Sequence, residues 1–159
     1  MKLKLSENIL QAVSTTIILF LLTSTAYTQT SDNSASVEGI QLTLSHYFNG
    51  RRSADLELLQ QAYDPGARLE SVNAEGEIQR ISFDDYLQVV KSAGPVEVKT
   101  SILEISIVQS IAIAQTRFDY GQRVYYDYLT LLKTTNGWKI TNKAYARQHP
   151  DNDTGQDNK

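Results

Sequence analysis

The chain has no cysteine among its 159 residues. That excludes disulfides, thiolate nucleophiles and sulfur-ligated metals, and it fits any redox compartment. Histidine is almost as scarce, with His46 and His149 alone. They share no close spacing with each other or with a carboxylate cluster, so no zinc or iron site is expected, and no other cofactor. Basic blocks and stripes are missing too. With a net charge of -3 and a pI near 5.3, the chain is not built to neutralise a phosphate backbone, so nucleic acid is not an expected partner. The apolar run Ala12 to Leu22 is short for a membrane span.

What is present begins with Lys2 and Lys4, then that apolar run, then Thr23, Ser24, Thr25 and Ala26. Charged, apolar and small in that order is the pattern of a secretory signal peptide over residues 1–28. Cleavage after Ala26 or after Thr28 both fit, and retention as an anchor is the alternative. The expected localisation is therefore exported, periplasmic or secreted, with no membrane contact once the signal is removed. Residues 29–36 read as a polar disordered spacer, 37–147 as one domain, and 148–159 as a disordered tail.

The stretch from Lys99 to Tyr145 is rich in Ile, Val, Thr, Tyr and Leu and is cut by turn signals at Gln109-Ser110, Gly121-Gln122 and Asn136-Gly137. It reads as a four-stranded antiparallel meander. Two-residue turns place Ile105 opposite Ala114 and Thr116 opposite Asp127. Because side chains alternate, each pairing carries a whole face with it. One face collects Leu103, Ile105, Ile107, Ala112, Ala114, Thr116, Phe118, Tyr125, Asp127, Leu129 and Leu131. A two- or four-residue last loop adds Trp138, Ile140, Asn142 and Ala144. The other face carries Glu104, Gln115, Arg117, Tyr126, Tyr128, Thr130, Lys139, Thr141, Lys143 and Tyr145.

Ahead of the meander, Val37, Ile40, Leu44, Tyr47 and Phe48 recur at helical spacing, and Asn49-Gly50 reads as the closing signal. Ser53 is the expected cap of a second helix with Leu56, Leu59 and Tyr63 on its apolar stripe, stopped by Pro65-Gly66. Ala67 to Asn73 and Glu77 to Ile81 form a short hairpin. Ser82 caps a third helix, with Phe83, Tyr86, Leu87 and Val90 inward, and Gly94-Pro95 ends it.

The order α-α-β-β-α-β-β-β-β, ending in Trp138-Lys139-Ile140, resembles the nuclear transport factor 2-like fold. More narrowly, Tyr47-Phe48-Asn49-Gly50, Leu59 to Leu69, Asp127 to Lys133 and Gly137 to Lys143 together resemble the putative lumazine-binding family of that fold. The resemblance covers about residues 37–147 and implies an α+β cone, three helices packed on a curved antiparallel sheet with one open mouth. Family members often carry histidine at or beside the position of Tyr63-Asp64, which this chain lacks.

In such a cone Asp127 stands out, because an unpaired carboxylate in apolar surroundings costs several kcal/mol and must be paired, wet or functional. The expected ligand-binding set is Tyr47, Tyr63, Thr116, Phe118, Tyr125, Asp127 and Asn142. By analogy with ketosteroid isomerase, which shares the superfold, Asp127 is also the candidate catalytic residue. Two functions follow: a binding domain with a mostly apolar pocket for an unknown small molecule, or a small acid/base enzyme of isomerase, cyclase or dehydratase type. Binding is favoured, since no histidine partner is aimed at Asp127. The alternative for Asp127 is a structural bond to a helix end or a tyrosine. On the outer face, Arg117, Tyr126, Tyr128, Lys143 and Tyr145 are the expected homodimer surface, tyrosine and arginine being enriched at interfaces.

Overall fold

The structure is a computed structural model that describes residues 34–148. The expected signal peptide, most of the spacer and all but the first residue of the tail lie outside the described residues. Helix α1 covers residues 34–53, and from Glu38 on it belongs to one compact body. Within that body follow α2 (Leu56–Ala62), β1 (Tyr63–Val72), β2 (Ile78–Ser82), α3 (Phe83–Ala93), β3 (Lys99–Val108), β4 (Ile111–Asp119), β5 (Val124–Thr134) and β6 (Gly137–Gln148). No described helix is long and apolar enough to cross a membrane.

The strands form one sheet in the order β2-β1-β6-β5-β4-β3, curved and unclosed, with the helices on its concave face. The α+β cone and its element order are as expected. All pairings are antiparallel except one: β1 runs parallel to β6. This joins the hairpin to the meander and makes the sheet mixed at that seam. The β1–β6 register shifts between Tyr63 and Arg68, where Pro65 falls, a position in which a missing backbone N–H breaks no ladder bond.

The turns set the predicted parity over most of the meander. Ile105 faces Ala114 and Thr116 faces Asp127. Thr134 pairs with Gly137 across a two-residue loop, Gly137 taking the left-handed φ of 97° that closes it. Leu129, Leu131, Trp138 and Ile140 meet Ile40, Leu44 and Leu59 in the core.

Two bulges overrule the parity. In β3 the register shifts between Ile102 and Glu104, so Leu103 is squeezed out and exposed while Ile102 turns inward opposite Thr116. In β6, Asn142 pairs with Thr130 but Ile140 pairs with Leu131, leaving Thr141 as the extra residue. Beyond it every side chain changes face. Asn142 and Ala144 go outward, and Lys143 and Tyr145 go inward, opposite Leu129 and Asp127. Lys143 therefore does not belong to the outer surface, Tyr145 turns inward while still bordering a hollow on the outer face, and Asn142 does not belong to the inner one.

The helix boundaries also differ. Helix α1 runs through Asn49-Gly50 to residue 53, and the Ser53 hydroxyl donates back to the Asn49 carbonyl at 2.7 Å. Asp55, not Ser53, caps α2, its carboxylate accepting from the Leu58 N–H. Ala54 adopts the left-handed φ of 57° between the helices. Gly50 has another job: a Cβ there would stand 2.8 Å from Leu59 Cγ, so its hydrogen lets α1 and α2 approach. Ser82 caps α3 as expected.

Candidate functional site

Helix α1 projects Tyr47 inward one stripe position after Ile40 and Leu44, while β5 brings Asp127 and β6 brings Lys143 to meet it. All three are buried. Lys143 Nζ donates to Tyr47 Oη at 2.9 Å, and Tyr47 Oη donates to Asp127 Oδ2 at 2.7 Å. Lys143 Nζ also stands 3.5 Å from Asp127 Oδ1 and within 5.4 Å of the ring centres of Tyr47, Tyr86 and Tyr145. The requirement that Asp127 be paired is met by a helix tyrosine and by a lysine that the β6 bulge turns inward.

Burial pushes the Lys143 ammonium below the ordinary lysine range, and the Asp127 carboxylate opposes that shift. Burial likewise pushes the Tyr47, Tyr63, Tyr86 and Tyr120 phenols above their usual value. For Tyr47 the Asp127 charge adds to it. The unfolded chain ionises these phenols near pH 10, before the folded one does, so above that pH the folded state binds more protons and stability falls. Lys143 acts in the opposite sense, adding stability as pH rises from its lowered value to its ordinary one, but it is one group against four. In an alkaline titration, the tyrosinate absorbance of these four residues is expected to appear together with loss of the far-ultraviolet dichroism. Full tyrosinate absorbance from a still-folded chain would refute this.

Beside the triad lies a cavity of about 210 Å³. Tyr47, Asp127 and Lys143 are on its buried side, and the exposed Val89 and Arg123 mark its rim. Arg51, Leu69, Ile81, Tyr86, Phe118, Tyr120, Tyr125 and Tyr145 complete the wall. Of the predicted binding residues, Tyr47, Phe118, Tyr125 and Asp127 line it. Thr116 is buried opposite Asp127 but does not reach the cavity, and its hydroxyl has no partner. Tyr63 is core: its ring is edge-on to Tyr47 at 5.4 Å and stacked on Phe83 at 4.8 Å. Asn142 faces outward.

Nor is the pocket mostly apolar, as the sequence led one to expect. Five tyrosines and three cations line it with a single carboxylate. Arg51 extends the α1 stripe by one more helical step, so its place followed from the spacing once the helix was carried past Gly50. Tyr86 was already on the inward stripe of α3. Lys143 and Tyr145 had no sequence signal, because the bulge that inverts them has none. No group of three potential metal ligands occurs among the described residues.

The family described as Putative lumazine-binding matches residues 35–146. No curated protein is detectably similar in sequence. Among solved structures, an NTF2-like protein of unknown function from Shewanella baltica OS155 is similar at 24% identity and TM-score 0.68, over 72% of this chain and 95% of that one. Another, from Silicibacter pomeroyi DSS-3, aligns at 21% identity and TM-score 0.63, over 75% and 98%. The CaMKII hub of S. rosetta aligns at 13% identity and TM-score 0.52, over 70% and 95%. At these identities the likeness speaks for the fold, and the family match, which takes in nearly all of the described residues, goes further: the chain belongs to the putative lumazine-binding family of NTF2-like proteins.

Proposed function

We propose that the chain is an exported binding protein that holds a small molecule in its cone and pairs with a second copy through the outer sheet face. The observation that carries the binding reading is the cavity itself, a pre-formed space with a buried polar floor and aromatic walls. The family description points the same way. Asp127 favours binding over acid/base catalysis, because its Oδ2 is taken by Tyr47 and its charge is met by Lys143. Export rests on the leader pattern of the first 28 residues.

The dimer rests on the outer face as the bulges leave it. Tyr126 and Tyr128 remain there with Arg117, and Val72 and Ile78 border them around an apolar hollow of about 350 Å³. Ile111, Ile113 and Leu132, all exposed, extend the surface along β4 and β5. One such face suffices for a two-fold pair.

Native mass spectrometry of the protein purified from its own source tests both halves. The expected mass is twice the mature chain plus a small molecule released on denaturation. Tyr128→Glu, which sets like charges across the axis, is expected to give a folded monomer that still carries the molecule. Protein free of any small molecule overturns the binding reading. An unmodified protein that is monomeric at high micromolar concentration overturns the interface.

A further inference from the structure

The charges around the cavity do not balance. Asp127 and Lys143 offset each other across 3.5 Å, with Tyr47 between them. That leaves Arg51 and Arg123, and neither guanidinium has a carboxylate partner among the described residues. Both instead lie against one ring, each 5.7 Å from the centre of Tyr120. Arg51 Nη1 is shut off from water with no hydrogen-bond acceptor. A buried N–H of a charged group left without an acceptor is costly, more so than for a neutral donor. Two arginines lining one cavity, one of them with an N–H left idle, match the two oxygens of a carboxylate or phosphate.

The size limits the rest of the molecule. About 210 Å³ exceeds the roughly 150 Å³ of a cavity that holds benzene and falls short of the roughly 300–1,000 Å³ of drug-sized sites. Tyr120 and Tyr125 meet edge to face at 5.8 Å on the same wall, offering ring surface to a flat body.

We propose that the ligand is a small organic anion: one planar ring bearing a carboxylate or phosphate, its oxygens held by Arg51 and Arg123 and its ring set among the tyrosines. This rests on the binding reading and specifies its chemistry. The geometry asks for an anion because a neutral ring would leave both guanidiniums as they are.

Calorimetry on the whole protein, stripped of any co-purifying molecule, tests it with benzoate, phenyl phosphate and neutral benzamide. At least one anion is expected to bind ten-fold or more tightly than benzamide, and which of the two binds better identifies the anionic group. Arg51→Gln and Arg123→Gln are each expected to weaken that binding at least ten-fold with unchanged dichroism, whereas Arg80→Gln, on the outer face and paired with Glu70, is expected to leave it unchanged. The inference is overturned if benzamide equals both anions, if neither anion binds, or if both arginine variants retain full affinity. A neutral or cationic molecule found with the native protein also overturns it while leaving the binding reading intact; an anionic one supports both.

Discussion

Asp127→Ala is expected to destabilise the domain by about 3–5 kcal/mol, the scale of breaking a buried ion pair from one side. The residue is 1% exposed, and its removal strands the Lys143 ammonium among three tyrosine rings with only the Tyr47 hydroxyl as acceptor. Lys143→Met is expected to cost about as much, by leaving the buried carboxylate without its counter-charge. The two losses are not additive. Asp127→Ala combined with Lys143→Met removes both charges, and the double variant is expected to recover at least about 1 kcal/mol relative to the sum, as contacting partners do. Urea unfolding of the four proteins measures the cycle. Strict additivity would mean that the pair does not interact and that Asp127 is satisfied by Tyr47 alone. Asp127→Asn, which keeps the shape and an acceptor for Tyr47, covers the case in which the alanine variant does not fold.

Tyr63 offers the second large effect, with a contrast built in. Its ring touches Tyr47, Phe83 and Tyr86, with no exposure to solvent. Tyr63→Ala is expected to lose about 3–5 kcal/mol, the range for emptying a buried aromatic site. Its hydroxyl, however, has no hydrogen-bond partner, and an unsatisfied buried hydroxyl is a cost of about 1–3 kcal/mol. Tyr63→Phe is therefore expected to be neutral or stabilising and to leave ligand binding untouched, since the ring does not line the cavity. Thermal unfolding of the two variants decides the matter. A strongly destabilised Tyr63→Phe would show that the hydroxyl is bonded, and a loss of ligand would return Tyr63 to the site.

The two effects bear on how the site is built. Tyr47 is the shared piece: its ring packs on Tyr63 and Phe118, and its hydroxyl relays between Lys143 and Asp127. Its position is held from the far side by Trp138, which covers Gly39 one helical stripe away and whose carbonyl accepts from Thr43 at 2.9 Å. A Cβ at residue 39 would come within 2.9 Å of Trp138 Cδ1, so the glycine sets how closely α1 lies on β6. The distance between the Tyr47 hydroxyl and the two charged side chains depends on that approach.

Much of this was legible in the residues. Alternation along β4 and β5, with tight turns at Gln109-Ser110 and Gly121-Gln122, determined that Thr116 and Asp127 share the inner face, because turn length and a side-chain period of two leave no freedom once the strands pair. Helical spacing likewise put Tyr47 and Tyr86 inward. What tertiary structure alone decided lies where one residue is added to a strand or where a helix continues through a residue that usually ends one. The extra residue at Thr141 is compatible with either parity in sequence; the ladder settles it, because Ile140 must stay in the core while β6 also joins β1 in parallel. Gly50 looked like a helix stop because glycine takes left-handed φ freely. It is helical here because Leu59 packs where a side chain would be, and that continuation carries Arg51 to the cavity. The local pattern determined which residues are buried on each regular strand and helix. The charge of the cavity was set by two long-range contacts that local spacing does not encode.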